Sequence, residues 1–203
     1  TEIYTLSLHD ALPICHQVAL ASLLITGGRP DVTDLVGDGA TGGGILSEDA
    51  HLTIFDCTIS GNSAGQGEDG LGTIGGNGGS GGGICSEDGS LSIFRSTIVE
   101  NSSGHGGSSV GHYGGDGGDG GGIFCSHGSF KMSQSTSSEN STGDGGDGFH
   151  GGYGGSGGGL YCLFANSSID RSTVSRNNGG TGGIGYGRDG GHGLGDGGNG
   201  GSG

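Results

Sequence analysis

The chain has 203 residues, of which 58 are glycine, 28% are hydrophobic and none is tryptophan, which leaves little material for a conventional globular core. Six Lys and Arg against 21 Asp and Glu give a formal charge of −15, so phosphate backbones are repelled and nucleic acid is excluded as a partner. No stretch approaches the roughly 18 to 20 apolar residues of a membrane-spanning helix, and the run Val18 to Ile25 is far too short, so no membrane insertion by this segment is expected.

Residues 1–14, TEIYTLSLHDALPI, read in one frame as a translated short-read sequencing adapter and are set aside as an artefact outside the fold. Residues 15–203 then form a truncated repeat domain. A degenerate first copy, VALASLLITGG, lies near residues 16–28, with Val18, Leu20 and Ile25 on the columns of Leu52, Ile54 and Ile59. Four clear copies follow near 42–62, 81–101, 120–140 and 157–177, each opened by GGGI or GGGL. Their aliphatic residues Ile45, Ile84, Ile123 and Leu160 are 39, 39 and 37 positions apart.

Within each copy, apolar residues alternate over short stretches such as Leu52-x-Ile54 and Leu91-x-Ile93. That is the period of strands with one buried face, and no segment sustains a helical period. Stacked in register, such copies predict an all-β solenoid, a right-handed parallel β-helix with about one coil per 37–39-residue repeat. Coils about 4.8 Å apart give a body roughly 20 to 25 Å long. The interior columns are expected to be Ile45/Ile84/Ile123/Leu160, Leu52/Leu91/Phe130, Ile54/Ile93/Met132/Ile169 and Ile59/Ile98/Val174. Asn62, Asn101, Asn140 and Asn177 form a structural amide ladder at the turn after the third strand. The column Ser47/Ser86/Cys125/Cys162 puts two thiols on adjacent coils, and because parallel side chains bridge badly, reduced thiols are expected.

Long glycine excursions in GG-x triplets separate the copies and continue over residues 178–203. Glycine's entropy cost predicts solvated loops, the most mobile part of the molecule, with the copies around residues 84–140 best ordered. The three-residue period also admits extended segments lying side by side through their backbone amides.

Glu48-Asp49 and Glu87-Asp88 recur at one turn of consecutive coils and are the candidate Ca²⁺ ligands, with a solvated acidic turn as the alternative; no other cofactor is implied. His105, His112, His150 and His192 fix no zinc geometry by their spacing. Asp56, Arg95 and Arg171 share an outward column, with Asp56 and Arg95 reading as a cross-coil ion pair, and no residue is assigned a catalytic role.

The GGGI and GGGL motifs, together with Ile59-Ser-Gly-Asn62, Ile98-Val-Glu-Asn101, Ser137-Ser-Glu-Asn140 and Val174-Ser-Arg-Asn177, resemble the GGA(I/L/V) and FxxN motifs of polymorphic outer membrane proteins and autotransporter adhesins. The triplets resemble the glycine tracts of mycobacterial PE-PGRS surface proteins. The first resemblance implies export to the cell surface, a noncatalytic passenger stalk and adhesion to a host surface or glycan. The rival expectation is a fragment of a β-helix polysaccharide lyase or glycoside hydrolase.

Overall fold

Short alternating runs rich in Val, Ile, Thr and Ser form short strands, and between residues 17 and 175 each strand stops where the backbone turns left-handed. The computed structural model describes residues 4–7, 12–14, 17–30, 37–187 and 193–194. The strands are β1 Tyr4–Ser7, β2 Leu12–Ile14, β3 Gln17–Ala21 and β4 Leu23–Thr26, then β5 Ile45–Glu48, β6 His51–Phe55 and β7 Thr58–Ser60. They continue with β8 Ile84–Glu87, β9 Ser90–Phe94, β10 Thr97–Val99, β11 Ile123–Ser126, β12 Ser129–Ser133 and β13 Thr136–Ser138. The last are β14 Leu160–Leu163, β15 Asn166–Asp170, β16 Thr173–Ser175, β17 Ile184–Gly185 and β18 Gly193–Leu194.

Every third strand pairs in parallel, giving sheets ordered β1-β4-β7-β10-β13-β16, β14-β11-β8-β5-β2 and β15-β12-β9-β6-β3. The chain is therefore a parallel β-solenoid in which one repeat makes one coil. A short antiparallel pair, β17 with β18, lies outside these sheets. Three left-handed corners close each coil: Asp49, Asp88, His127 and Phe164 at the first; Asp56, Arg95, Gln134 and Arg171 at the second; Gly61, Glu100, Glu139 and Arg176 at the third.

The core columns follow the repeat register. Leu20, Ile54, Ile93, Met132 and Ile169 are successive partners, as are Ile45, Ile84, Ile123 and Leu160. Ile54, Ile93 and Met132 are at most 1% exposed, whereas Ile169 is 49% exposed, a correction to the expected burial of that column. Among the described residues no further coil covers the outer side of β14–β16, so its inward face meets water. Backbone pairing also takes in β1 and β2 from the segment set aside as adapter: β1 pairs with β4, and β2 with β5. Ladder bonds use backbone groups alone, so an open sheet edge accepts such a segment whatever its side chains.

The glycine excursions differ most from the solvated loops expected. The excursions over residues 63–80, 102–119 and 141–156 each run outward along a first tract, turn at a tip and return along a second, and both tracts stack coil on coil. The outward tracts bridge in parallel at Ser63, Ser102, Ser141 and Asn178. Between the tracts, the Gly118 N–H donates to Gly104 O at 2.8 Å, the Gly104 N–H to Gly79 O at 2.9 Å, and the Gly79 N–H to Gly65 O at 2.9 Å. A second zigzag runs from Gly146 to Gly115, Gly107, Gly76 and Glu68. Glycine is required by close approach: a Cβ on Gly115 would overlap the carbonyl oxygen of Gly76, and one on Gly104 that of Gly65. Ordering these glycines costs conformational entropy, which the paired amides offset without side-chain burial.

Candidate functional site

At Asn77, Asp116 and Tyr153, the third residues of their triplets, the side chain is exposed and the N–H is not paired within the glycine lattice. The side chain one coil earlier receives that proton instead. The Asn77 N–H donates to Asp38 Oδ1 at 2.5 Å, the Asp116 N–H to Asn77 Oδ1 at 2.8 Å, and the Tyr153 N–H to Asp116 Oδ1 at 2.8 Å. On the outward tract the same series runs through Gln66, His105, Asp144 and Thr181, and through Asp69, Ser108, Asp147 and Ile184. Polar third positions thus serve as acceptors one coil apart. Burial pulls Asp119 upward from its usual carboxylate range, against the Ser156 N–H bond that lowers it. Burial also acts upward on Asp144, but bonds from the Thr181 N–H and hydroxyl carry it below the usual range.

The tips carry apolar side chains in columns. Leu71 is 93% and Val110 84% exposed, and Phe149 and Tyr186 continue their line in the next coils. Beside them, Tyr113 stacks on His150 with ring centroids 4.8 Å apart and planes 24° from parallel. This stack follows from the shorter last interval. Ser109 N–H still bonds Asp147 O, 38 residues on, whereas Gly114 N–H bonds His150 O, 36 on, so two residues are lost at the tip itself. Two clefts flank the tip. One, of about 620 Å³, is walled by Tyr113, His150 and Tyr153 with Asp38, Asn77 and Asp116. The other, of about 370 Å³, lies against Leu71, Val110, Phe149 and Tyr186 with Asp69 and Asp147.

The Asn ladder stands where the repeats placed it. Asn101 Nδ2 donates to Asn140 Oδ1 and to Ile59 O, both at 3.0 Å, while its Oδ1 accepts from the N–H of Asn62 at 3.1 Å and from Asn62 Nδ2 at 2.9 Å. Asn140 repeats this with Asn177 Oδ1, and Asn177 Nδ2 donates to Ser137 O. A second ladder escaped the sequence reading. The N–H groups of Cys57, Ser96 and Ser135 donate to the hydroxyls of Ser96, Ser135 and Ser172. Its signal was a serine recurring one residue after the second corner.

Glu48 lies beside Glu87 in register, with Asp49 and Asp88 at the left-handed corner after them. The next coil puts Ser126 and His127 there, and among the described residues no group of three or more His, Cys, Asp or Glu converges on a metal position. His192 lies outside the described residues, as does Cys15. Arg95 grips Asp56 through two bonds of 2.7 and 2.6 Å and lies over the stacked rings of Phe55 and Phe94. Arg171 pairs with its neighbour Asp170.

Cys125 and Cys162 meet on adjacent coils, where strand pairing holds their Cα atoms 4.8 Å apart and sets the two sulfur atoms side by side. Cys57 and Cys85 are free and buried. Burial holds the Cys85 thiol well above the usual range, and it donates to Glu87 Oε1 at 3.4 Å, an environment opposed to a thiolate nucleophile. Comparison with protein families, with curated proteins and with solved structures finds no match to the chain.

Proposed function

We propose that this chain is a noncatalytic structural and adhesive segment of an exported bacterial surface protein, a stalk whose tips meet a host surface or a glycan. The observation that carries the reading is how the outward polar groups are used. Asp116, Asp144 and Asp147 accept the N–H of the next coil, and Asp56 is held by Arg95. A glycosidase needs two carboxyl groups facing one sugar with one of them free to deliver a proton, and groups engaged as acceptors of backbone N–H are poorly placed for that task. The motif resemblance to polymorphic outer membrane proteins and autotransporter adhesins supports display outside the cell, where an extended solenoid acts as a spacer.

The rival reading, a fragment of a polysaccharide lyase or hydrolase, draws on the solenoid shape and on Asp56 beside Arg95. Incubation of the protein with pectin, alginate and neutral glycans separates the two, with reducing ends and unsaturated uronate absorbance as readouts. No turnover is expected. Turnover that disappears in Asp56→Asn would overturn the noncatalytic reading.

A further inference from the structure

We infer that the cleft walled by Tyr113, His150 and Tyr153 binds an extended neutral oligosaccharide lying along the solenoid axis. This rests on the adhesive reading and names its ligand class. Tyr113 is 58% and Tyr153 61% exposed, so neither ring contributes its full area to the core. The Tyr113 ring is braced by the stack on His150, and the backbone that carries Tyr153 is held by its N–H bond to Asp116. Rigid tyrosines offer a broad apolar face and a hydroxyl at low entropic cost, as recognition surfaces require.

The polar wall is equally prearranged. Asp116 gives one carboxylate oxygen to the Tyr153 N–H, and Asn77 gives its amide oxygen to the Asp116 N–H, which fixes both side chains. Asp116 keeps acceptor capacity on its other oxygen, and Asn77 keeps two amide N–H donors. A few placed polar groups beside aromatic rings match a sugar, which has apolar ring faces and hydroxyls at its rim. The volume, about 620 Å³, falls in the range of ligand sites.

Charge selects among sugars. Asp38 and Asp116 line the cleft, and among the described residues no Lys or Arg does, so uronates and sulfated chains are repelled. The direction of the ligand follows from the repeat. Equivalent positions recur every coil, 4.8 Å apart at Cys125 and Cys162, close to the rise of one hexose in an extended glycan. A chain along the axis passes Asp38, Asn77, Asp116 and Tyr153 in successive coils.

The test is calorimetric titration of the full chain with cellohexaose and with chitohexaose, using an alginate hexamer as the polyanionic control. Saturable binding to at least one neutral hexamer is expected, insensitive to salt and absent for alginate. Tyr113→Ala should weaken it by at least about tenfold, while Tyr113→Phe, which retains the ring, should bind nearly as the parent. Tyr153→Ala should also weaken it, and unchanged thermal melting would show that the variants fold. The site assignment fails if neither neutral hexamer binds, or if Tyr113→Ala and Tyr153→Ala bind as tightly as the parent. It also fails if alginate binds equally, or if the tip instead mediates concentration-dependent self-association lost in Tyr113→Ala. Any of these outcomes leaves the noncatalytic stalk intact, since only polysaccharide turnover overturns that reading.

Discussion

Asn101 shows how much one side chain can join in a solenoid. It is 1% exposed, and its amide links three coils through bonds to Asn62, Asn140 and Ile59 O. Asn101→Ala strands the Asn62 N–H and the Ile59 carbonyl and opens a cavity, so a loss of about 3 to 5 kcal/mol is expected by chemical denaturation. Ser47 is the opposite case. Its hydroxyl is the one buried side-chain oxygen or nitrogen without a hydrogen-bond partner among the described residues, so Ser47→Ala should leave stability unchanged or raise it by about 1 kcal/mol. Asp56 supplies the pH dependence. The hydrogen bond from Arg95 outweighs burial and, with the Arg95 charge, lowers its folded-state pKa, so the ion pair contributes above the unfolded carboxylate pKa and is lost as pH falls through the folded value. Asp56→Asn should therefore be slightly less stable than the parent at neutral pH and converge with it in acid, as measured by melting across pH.

Strands and tracts differ in how far the sequence discloses them. The β6, β9 and β12 columns were legible because Leu52, Leu91 and Phe130, or Ile54, Ile93 and Met132, repeat at fixed spacing and occupy one face of each strand. The corners were not, since Arg95, Gln134, Phe164 and Arg171 adopt left-handed φ without the Gly or Asn that normally signals it. The glycine tracts were ambiguous for a deeper reason: a solvated loop and a stacked lattice share one composition, and only pairing between Gly104 and Gly79, or Gly115 and Gly107, separates them. Of the candidate cleft, Tyr113, His150 and Tyr153 carried no motif, because their meeting depends on the two-residue shortening at the tip. The lattice makes a sharp prediction. Gly115→Ala forces a Cβ into the Gly76 backbone and should cost upwards of about 3 kcal/mol, whereas Gly187→Ala, whose Cβ meets no atom of the described residues closer than 3.8 Å, should stay within about 0.5 kcal/mol. Paired melts of the two variants read the difference directly.

At the scale of the molecule, two backbone systems share each coil: a strand triangle filled with aliphatic side chains, and a glycine sandwich held by amides. Stability in such a stack is roughly a sum over coils and their interfaces, so coils with neighbours on both sides should outlast the β14–β16 coil, where Ile169 meets water. Both systems belong to one ordered body only if the glycine amides are as well protected as those of the strands. Residue-resolved native-state hydrogen exchange measures this directly. The N–H groups of Gly76, Gly107, Gly115 and Gly118 should exchange as slowly as those of Ile93 and Met132, while those of Leu71 and Val110 at the tips exchange fast. Exchange at unprotected rates throughout residues 65–82 and 104–121, with the strands still protected, would contradict an ordered glycine lattice.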